Sequence, residues 1–170
     1  MAIFYIQPVV FGVWLALIPE VQSVLNLEKS QLALGLMGTP TGMLITLPFA
    51  GKVANTFGLR KMLYVGFPVF FFSITFIGLI DGLYSLFLVL LIVGISMSLL
   101  EVALNIHAGR LEKHTKGTIM NRCHGFWSLG IMTGSFLGSS LHSESTVWMI
   151  LIMCASTLLP MAWLLCIGLP

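Results

Sequence analysis

A few residues in the middle of the chain have types and spacings that suit chemistry in an apolar setting. Glu101 interrupts a hydrophobic run that continues on both sides of it. A carboxyl group in hydrocarbon surroundings is costly, and an acid inside a membrane is functional by default. It suits proton uptake and release; the competing reading is a neutral carboxyl hydrogen-bonded within a helix bundle. Asn105 follows at i+4, on the same helix face, where it either meets a solute or orients Glu101. A short basic stretch (Arg110, Lys113, Lys116) comes next. A second apolar run then opens with Asn121, Arg122, His124, Trp127 and Ser128. His124 stands about as far from that stretch as Glu101 does. It reads either as a relay partner for Glu101 or as a histidine bonding a carbonyl at the headgroup boundary. Trp127 offers a ring for stacking or for plain packing. Ser128, one turn beyond His124, lines a cavity or bridges two helices. In the first apolar run Gln7 and Trp14 lie seven residues apart and can share a face. A buried amide needs partners, which favours Gln7 as the functional one.

The elements that must position these residues are membrane helices. The chain of 170 residues is 58% hydrophobic and 8% charged, with a mean hydropathy of +1.02. Too few charges remain to cover the surface of a soluble domain. A bilayer core of about 30 Å takes about 20 apolar residues per helix, so this length holds about six spans. They are expected at about 2–18, 31–50, 62–80, 83–107, 119–141 and 146–169. Pro19 is expected to close the first and Ser30 to cap the second, in which Pro40 should introduce a bend. The third, rich in phenylalanine (Phe67, Phe70, Phe71, Phe72, Phe76), suits a lipid-facing position. Gly38 and Gly42, and then Gly130, Gly134 and Gly138, are spaced for close helix packing.

Charge sets the expected topology. Lys52, Arg60 and Lys61 fall between spans two and three, and Arg110, Lys113 and Lys116 between four and five. The opposite connections hold Glu20, Glu28, Asp81 and Glu144, with Lys29 as the one base. Basic connections mark the cytoplasmic side, so both termini are expected there, in a plasma or bacterial inner membrane. The net charge of +2 is too small to suggest nucleic acid. Cys123, Cys154 and Cys166 form no C-x-x-C pair and read as apolar packers. His107, Glu112 and His114 lack metal-ligand spacing, so no metal and no cofactor are expected. No nucleophile with an oriented base stands out, so an enzyme is not expected. The N-terminus lacks a basic n-region, and a cleaved signal peptide is not expected.

Two stretches carry a family resemblance. Gly51-Lys-Val-Ala-Asn55-Thr-Phe-Gly58-Leu-Arg60-Lys-Met-Leu63 resembles the loop between helices 2 and 3 of the major facilitator superfamily. Asn55 stands where that pattern has an aspartate that helps to latch the cytoplasmic gate, and Thr56 and Leu59 replace arginines. The run from Leu100-Glu101 to Asn105, then a basic stretch and Met120-Asn121-Arg-Cys-His124-Gly-Phe-Trp127-Ser128-Leu-Gly130, resembles the fucose-permease-like branch and related bacterial permeases. Gly130-x-x-x-Gly134-Ser135-x-x-Gly138 is similar to the superfamily's glycine-rich helix 5, with Ser135 where many antiporters have proline. Leu15 stands where fucose permease has an aspartate.

The resemblance implies an all-α integral membrane fold. Six helices would form two inverted three-helix repeats, with helices 1, 2, 4 and 5 around the centre. That is one half of a two-half transporter, with solute bound between the halves and access alternating as they rock. It implies a permease for a small polar, sugar-like solute, proton-coupled as a symporter through Glu101. Gly51, Asn55, Gly58 and Arg60 would form the gating loop. Partners would be the solute and H+, the lipid bilayer, and a second six-helix half from the same chain or another copy. The alternative is a half-transporter that does not transport alone and serves as an interaction or scaffold subunit.

Overall fold

The computed structural model describes residues 1–115, 117–141 and 147–167, with backbone alone for 147–149. Lys116, the turn at 142–145, the expected start of the last helix at Thr146 and its expected end at Leu169 lie outside the described residues. All regular structure among the described residues is helical. The helices are α1 (Ile3–Val24), α2 (Lys29–Leu36), α3 (Gly38–Phe57), α4 (Leu59–Phe76), α5 (Leu83–Thr115), α6 (Ile119–Leu141) and α7 (Val147–Ile167). A short 3-10 turn, Ile77–Leu79, extends α4.

The helix ends differ from the sequence expectation for local reasons. Pro19 lies inside α1 and does not end it. The end comes at Asn26, in the left-handed region at φ 50°. There Asn26 N–H donates to the Ser23 carbonyl (3.2 Å) and Leu27 N–H to the Gln22 carbonyl (3.1 Å). This pairing satisfies carbonyls that the last turn leaves open. Ser30 lies within α2, and Glu28 precedes the helix as its cap residue. Glu28 N–H donates to Gln31 Oε1 at 2.9 Å.

The second span breaks at Met37 into α2 and α3. Pro40 has no N–H for the Leu36 carbonyl, and its ring crowds that carbonyl. The turn after α3 is narrower than expected: Gly51 to Phe57 are helical, and Gly58 alone makes the corner at φ 83°. Arg110 to Thr115 also continue a helix, where a basic loop was expected. Lys113 and His114 stand in its last turn, favourably placed at the negative end of the helix dipole.

Five stretches are long and apolar enough to cross a membrane: 3–24, 29–57, 59–79, 83–115 and 150–167. The remaining helix, α6, has 23 residues, about 34 Å at 1.5 Å per residue, which is also long enough. Asn121, Arg122, His124, Ser128 and Thr133 make it more polar. Its glycine face is fully occupied by α1.

The packing is two-fold repeated. α1 lies against α6 as the α2–α3 span lies against α5, and α4 lies against both α5 and α7. The contacts match residue by residue. A Cβ on Gly130 would meet the Tyr5 carbonyl and Pro8; one on Gly38 would meet the Phe87 carbonyl and Leu90. Gly134 abuts the Val9 carbonyl and Val13 N, and Gly42 the Leu91 carbonyl and Ile95 N. Gly12 abuts the Ile131 carbonyl and Ser135 N, and Gly94 the Thr39 carbonyl and Met43 N. Each position in α1 maps onto α5, and each in α3 onto α6, by one constant offset per helix. α1 runs parallel to α6 and α3 parallel to α5, while α1 and α5 run in opposite directions. These are two inverted three-helix repeats.

The core sits between α1, α4, α5 and α7. Phe67, Phe70 and Phe71 are buried there rather than facing lipid, with Phe70 and Phe71 edge to face at 5.6 Å. Only Phe72 and Phe76 of that set are exposed. Trp14 is also a core residue, 2% exposed, and does not line the cavity that Gln7 reaches.

Backbone contact at the glycines leaves no room for a side chain. Gly134→Leu is expected to destabilise by about 1–3 kcal/mol or more, since overpacking forces the helices apart. Gly51→Ala, with nothing within 4 Å of the new carbon, should be neutral or stabilising. Thermal unfolding of both variants in one detergent checks the contrast.

Candidate functional site

The first, second, fourth and fifth spans leave a cavity of about 440 Å³ between them. Its polar lining is Gln7 from α1, Thr39 from α3, Glu101 and Asn105 from α5, and His124 and Trp127 from α6. Helical spacing places these groups together. Phe4, Gln7 and Phe11 fall at i, i+3 and i+7 on α1, and Met97, Glu101, Leu104 and Asn105 form a single stripe on α5. His124 and Trp127 are three apart on α6.

Glu101 is half-buried and makes no hydrogen bond with the described residues. It lies near enough to His124 for their charges to interact. Gln7 is 1% exposed, and its Nε2 has no hydrogen-bond partner among the described residues. Asn105 Oδ1 is buried and unpartnered in the same way. A buried polar atom without a partner costs about 1–3 kcal/mol, so these two amides hold unused hydrogen-bonding capacity at a cost in stability. The cavity therefore offers a carboxyl, an imidazole, two amides and an indole within apolar walls. That set can bind hydroxyl-bearing molecules and exchange a proton. Among the described residues no group of three or more His, Cys, Asp or Glu is placed to hold a metal.

A family model, the Major Facilitator Superfamily, matches residues 1–170. The chain belongs to the major facilitator superfamily. The inverted repeat and the central cavity between spans one, two, four and five are one half of that superfamily's fold. An uncharacterized transporter of Sinorhizobium fredii is 27% identical over 133 residues, 78% of this chain and 35% of that protein. An uncharacterized MFS-type transporter of Yersinia pestis is 25% identical over 132 residues, 78% of this chain and 34% of its own. The membrane protein MosC of Rhizobium meliloti is 25% identical over 131 residues, 77% of this chain and 32% of its own. The chain thus spans about a third of the length of these curated relatives. It is an integral membrane protein of a transporter family.

Not every residue singled out in the sequence reaches the superfamily cavity. Ser128 is exposed and turns back onto its own helix, its hydroxyl donating to the His124 carbonyl at 3.2 Å. It does not line the cavity. Among the gating-loop residues, Gly51 and Asn55 lie exposed on the last turns of α3. Arg60 reaches across to α7, where Nη2 donates to the Ile167 carbonyl at 2.9 Å. Its guanidinium also stands 6.0 Å from the centre of the Tyr64 ring, which meets Trp163 edge to face. Arg60 thereby ties the start of α4 to the end of α7.

Sequence reasoning missed Phe4, Phe11, Thr39, Met43, Met97 and Leu104 as cavity lining. The signal for the α1 and α5 members was the helical stripe through Gln7 and Glu101. Thr39 and Met43 each follow a packing glycine, Gly38 and Gly42, by one residue.

An amide without a protein partner contributes little to folding. Gln7→Leu, similar in volume, is expected to leave thermal stability unchanged or to raise it by up to about 1–3 kcal/mol. A loss of stability in thermal unfolding would instead show a structural hydrogen bond at Gln7.

Proposed function

We propose that this chain forms one half of a secondary active transporter for a small polar, sugar-like solute, with proton coupling through Glu101. The observation that carries the reading is the convergence of Glu101, Asn105, His124, Gln7 and Trp127 from three helices on one cavity. In this reading Glu101 carries the proton and His124 is its exchange partner across the cavity. Asn105 and Gln7 supply hydrogen bonds to solute hydroxyls, which their unpartnered atoms are free to make. Trp127 supplies an apolar face for a ring. Ser128 is left outside the binding set.

The solute site is completed by a second six-helix half, from the same chain or another copy, and the two halves rock about it. Gly38, Gly42, Gly130, Gly134 and Gly138 make this half a rigid body for that motion. Gly51, Asn55, Gly58 and Arg60 belong to the gate at the basic end. Arg60 holds α7 there, while the exposed Asn55 amide is available to the second half. The basic end faces the cytoplasm of a bacterial inner membrane, with both termini on that side.

The test is proton flux driven by solute. In vesicles from cells expressing the full natural chain, a panel of neutral monosaccharides is added and the external pH followed. Wild type is expected to give a sugar-dependent alkalinisation with at least one member of the panel. Glu101→Gln should abolish that signal and concentrative uptake while leaving membrane insertion intact. Accumulation that survives the substitution would sink the coupling role.

A further inference from the structure

A second cavity, of about 430 Å³, lies between α3, α4 and α5 and shares no lining residue with the central one. α3 contributes Val53 and Phe57 to it, α4 Val65 and Val69, and α5 Ile95 and Leu99. Ser96, also in the lining, spends its hydroxyl on the Val93 carbonyl at 2.9 Å, so it offers nothing to a ligand. Phe57 and Val65 are 61% and 64% exposed, which leaves the groove open along its length to the surroundings of the bundle.

One charge borders this apolar slot. Lys61 stands at its end, exposed, without a hydrogen bond or ion pair to any described residue. Its neighbour Arg60 is already committed to the α7 carbonyl. Along α4 the slot runs from Lys61 to Val69, about 12 Å at 1.5 Å per residue. The parallel course of α3 and α5 puts Lys52, Lys61, Arg110 and Lys113 at one end of the bundle. The apolar wall thus runs inward from a basic rim, the order in which a lipid presents its phosphate and its acyl chain.

We infer that this groove holds one acyl chain of an anionic phospholipid, with the headgroup phosphate on Lys61. The charge complementarity selects that occupant. A basic residue at the membrane surface attracts anionic lipid, and here it is coupled to a slot that orders the chain below it. An ordinary lipid-facing helix surface offers neither the concavity nor the single aligned charge. The inference does not depend on what the central cavity transports.

The test uses the full chain purified in detergent and exposed to mixed micelles of phosphatidylglycerol or of phosphatidylcholine with identical acyl chains. Retained lipid is counted by native mass spectrometry. Wild type should keep one phosphatidylglycerol, and phosphatidylcholine about fivefold less, the discrimination of one lysine at a membrane surface. Lys61→Gln should bring phosphatidylglycerol down to the phosphatidylcholine level, and Lys61→Arg should not. Lys52→Gln, at the same end but outside the lining, should leave retention unchanged. Val65→Trp, which fills the slot from its exposed side, should lower retention of both lipids. Equal retention of the two lipids by wild type would show a groove that does not read the headgroup and overturn the proposal. Equal losses in Lys61→Gln and Lys52→Gln would reduce the effect to diffuse attraction and overturn it as well.

Discussion

Backbone contact between parallel helices is the constraint on which the rest of this structure depends. In lipid, helices gain no hydrophobic advantage by touching each other, so association rests on close packing. Here it is achieved where Gly12 and Gly134 bring α1 and α6 together, and where Gly94 and Gly42 do the same for α5 and α3. A side chain at any of these positions would strike a carbonyl of the facing helix. Two tightly joined pairs result, and the remaining helices, α4 and α7, pack against them through buried bulky side chains such as Phe67 and Phe70.

The glycine contacts are duplicated, but the polar groups are not. The offset that carries Gly12 to Gly94 carries Gln7 to Val89 and Pro19 to Glu101. The offset that carries Gly42 to Gly134 carries Leu32 to His124 and Gly35 to Trp127. The repeat therefore preserves the packing, while Gln7, Glu101, His124 and Trp127 have apolar or conformational counterparts and Asn105 alone of these five maps onto a polar residue, Ser23. A carboxyl, an imidazole and two amides on one side of a near-symmetric bundle produce a one-sided binding surface from two similar units. The stability cost of unpartnered Gln7 Nε2 and Asn105 Oδ1 falls on a scaffold whose glycine contacts can bear it.

The ends of the bundle are held by polar interactions of a different kind. Glu112 on α5 accepts the Met120 N–H in the first turn of α6 at 2.7 Å, linking the two helices at the basic end. Arg60 satisfies a carbonyl at the far end of α7, a position that favours a cation at a helix C-terminus. Ser135 adds a hydrogen bond to the Gly12 carbonyl at 3.2 Å, at the middle of the α1–α6 contact. None of these groups lines the central cavity.

By itself the sequence determined that this is a bundle of membrane helices, because hydrocarbon demands long apolar runs and those are countable. It also made Glu101 and Asn105 recognisable, since an acid in an apolar run is costly and i+4 spacing puts both on one face. The glycine spacing and the distribution of lysine and arginine were legible for the same reason: each is a local pattern with a local cause. Helix ends were less so, as with Pro19, which a membrane helix tolerates, and the Arg110–Thr115 stretch, which propensity alone leaves open. Only the tertiary structure decided which side chains meet. Gln7 entered the cavity while Trp14, seven residues away, entered the core, because α1 presents different neighbours at the two depths. Ser128 turned onto its own helix, although its spacing from His124 is the one that joins Glu101 and Asn105. Those outcomes depend on how four helices are rotated against one another, and the glycine contacts set that rotation between residues far apart in the chain.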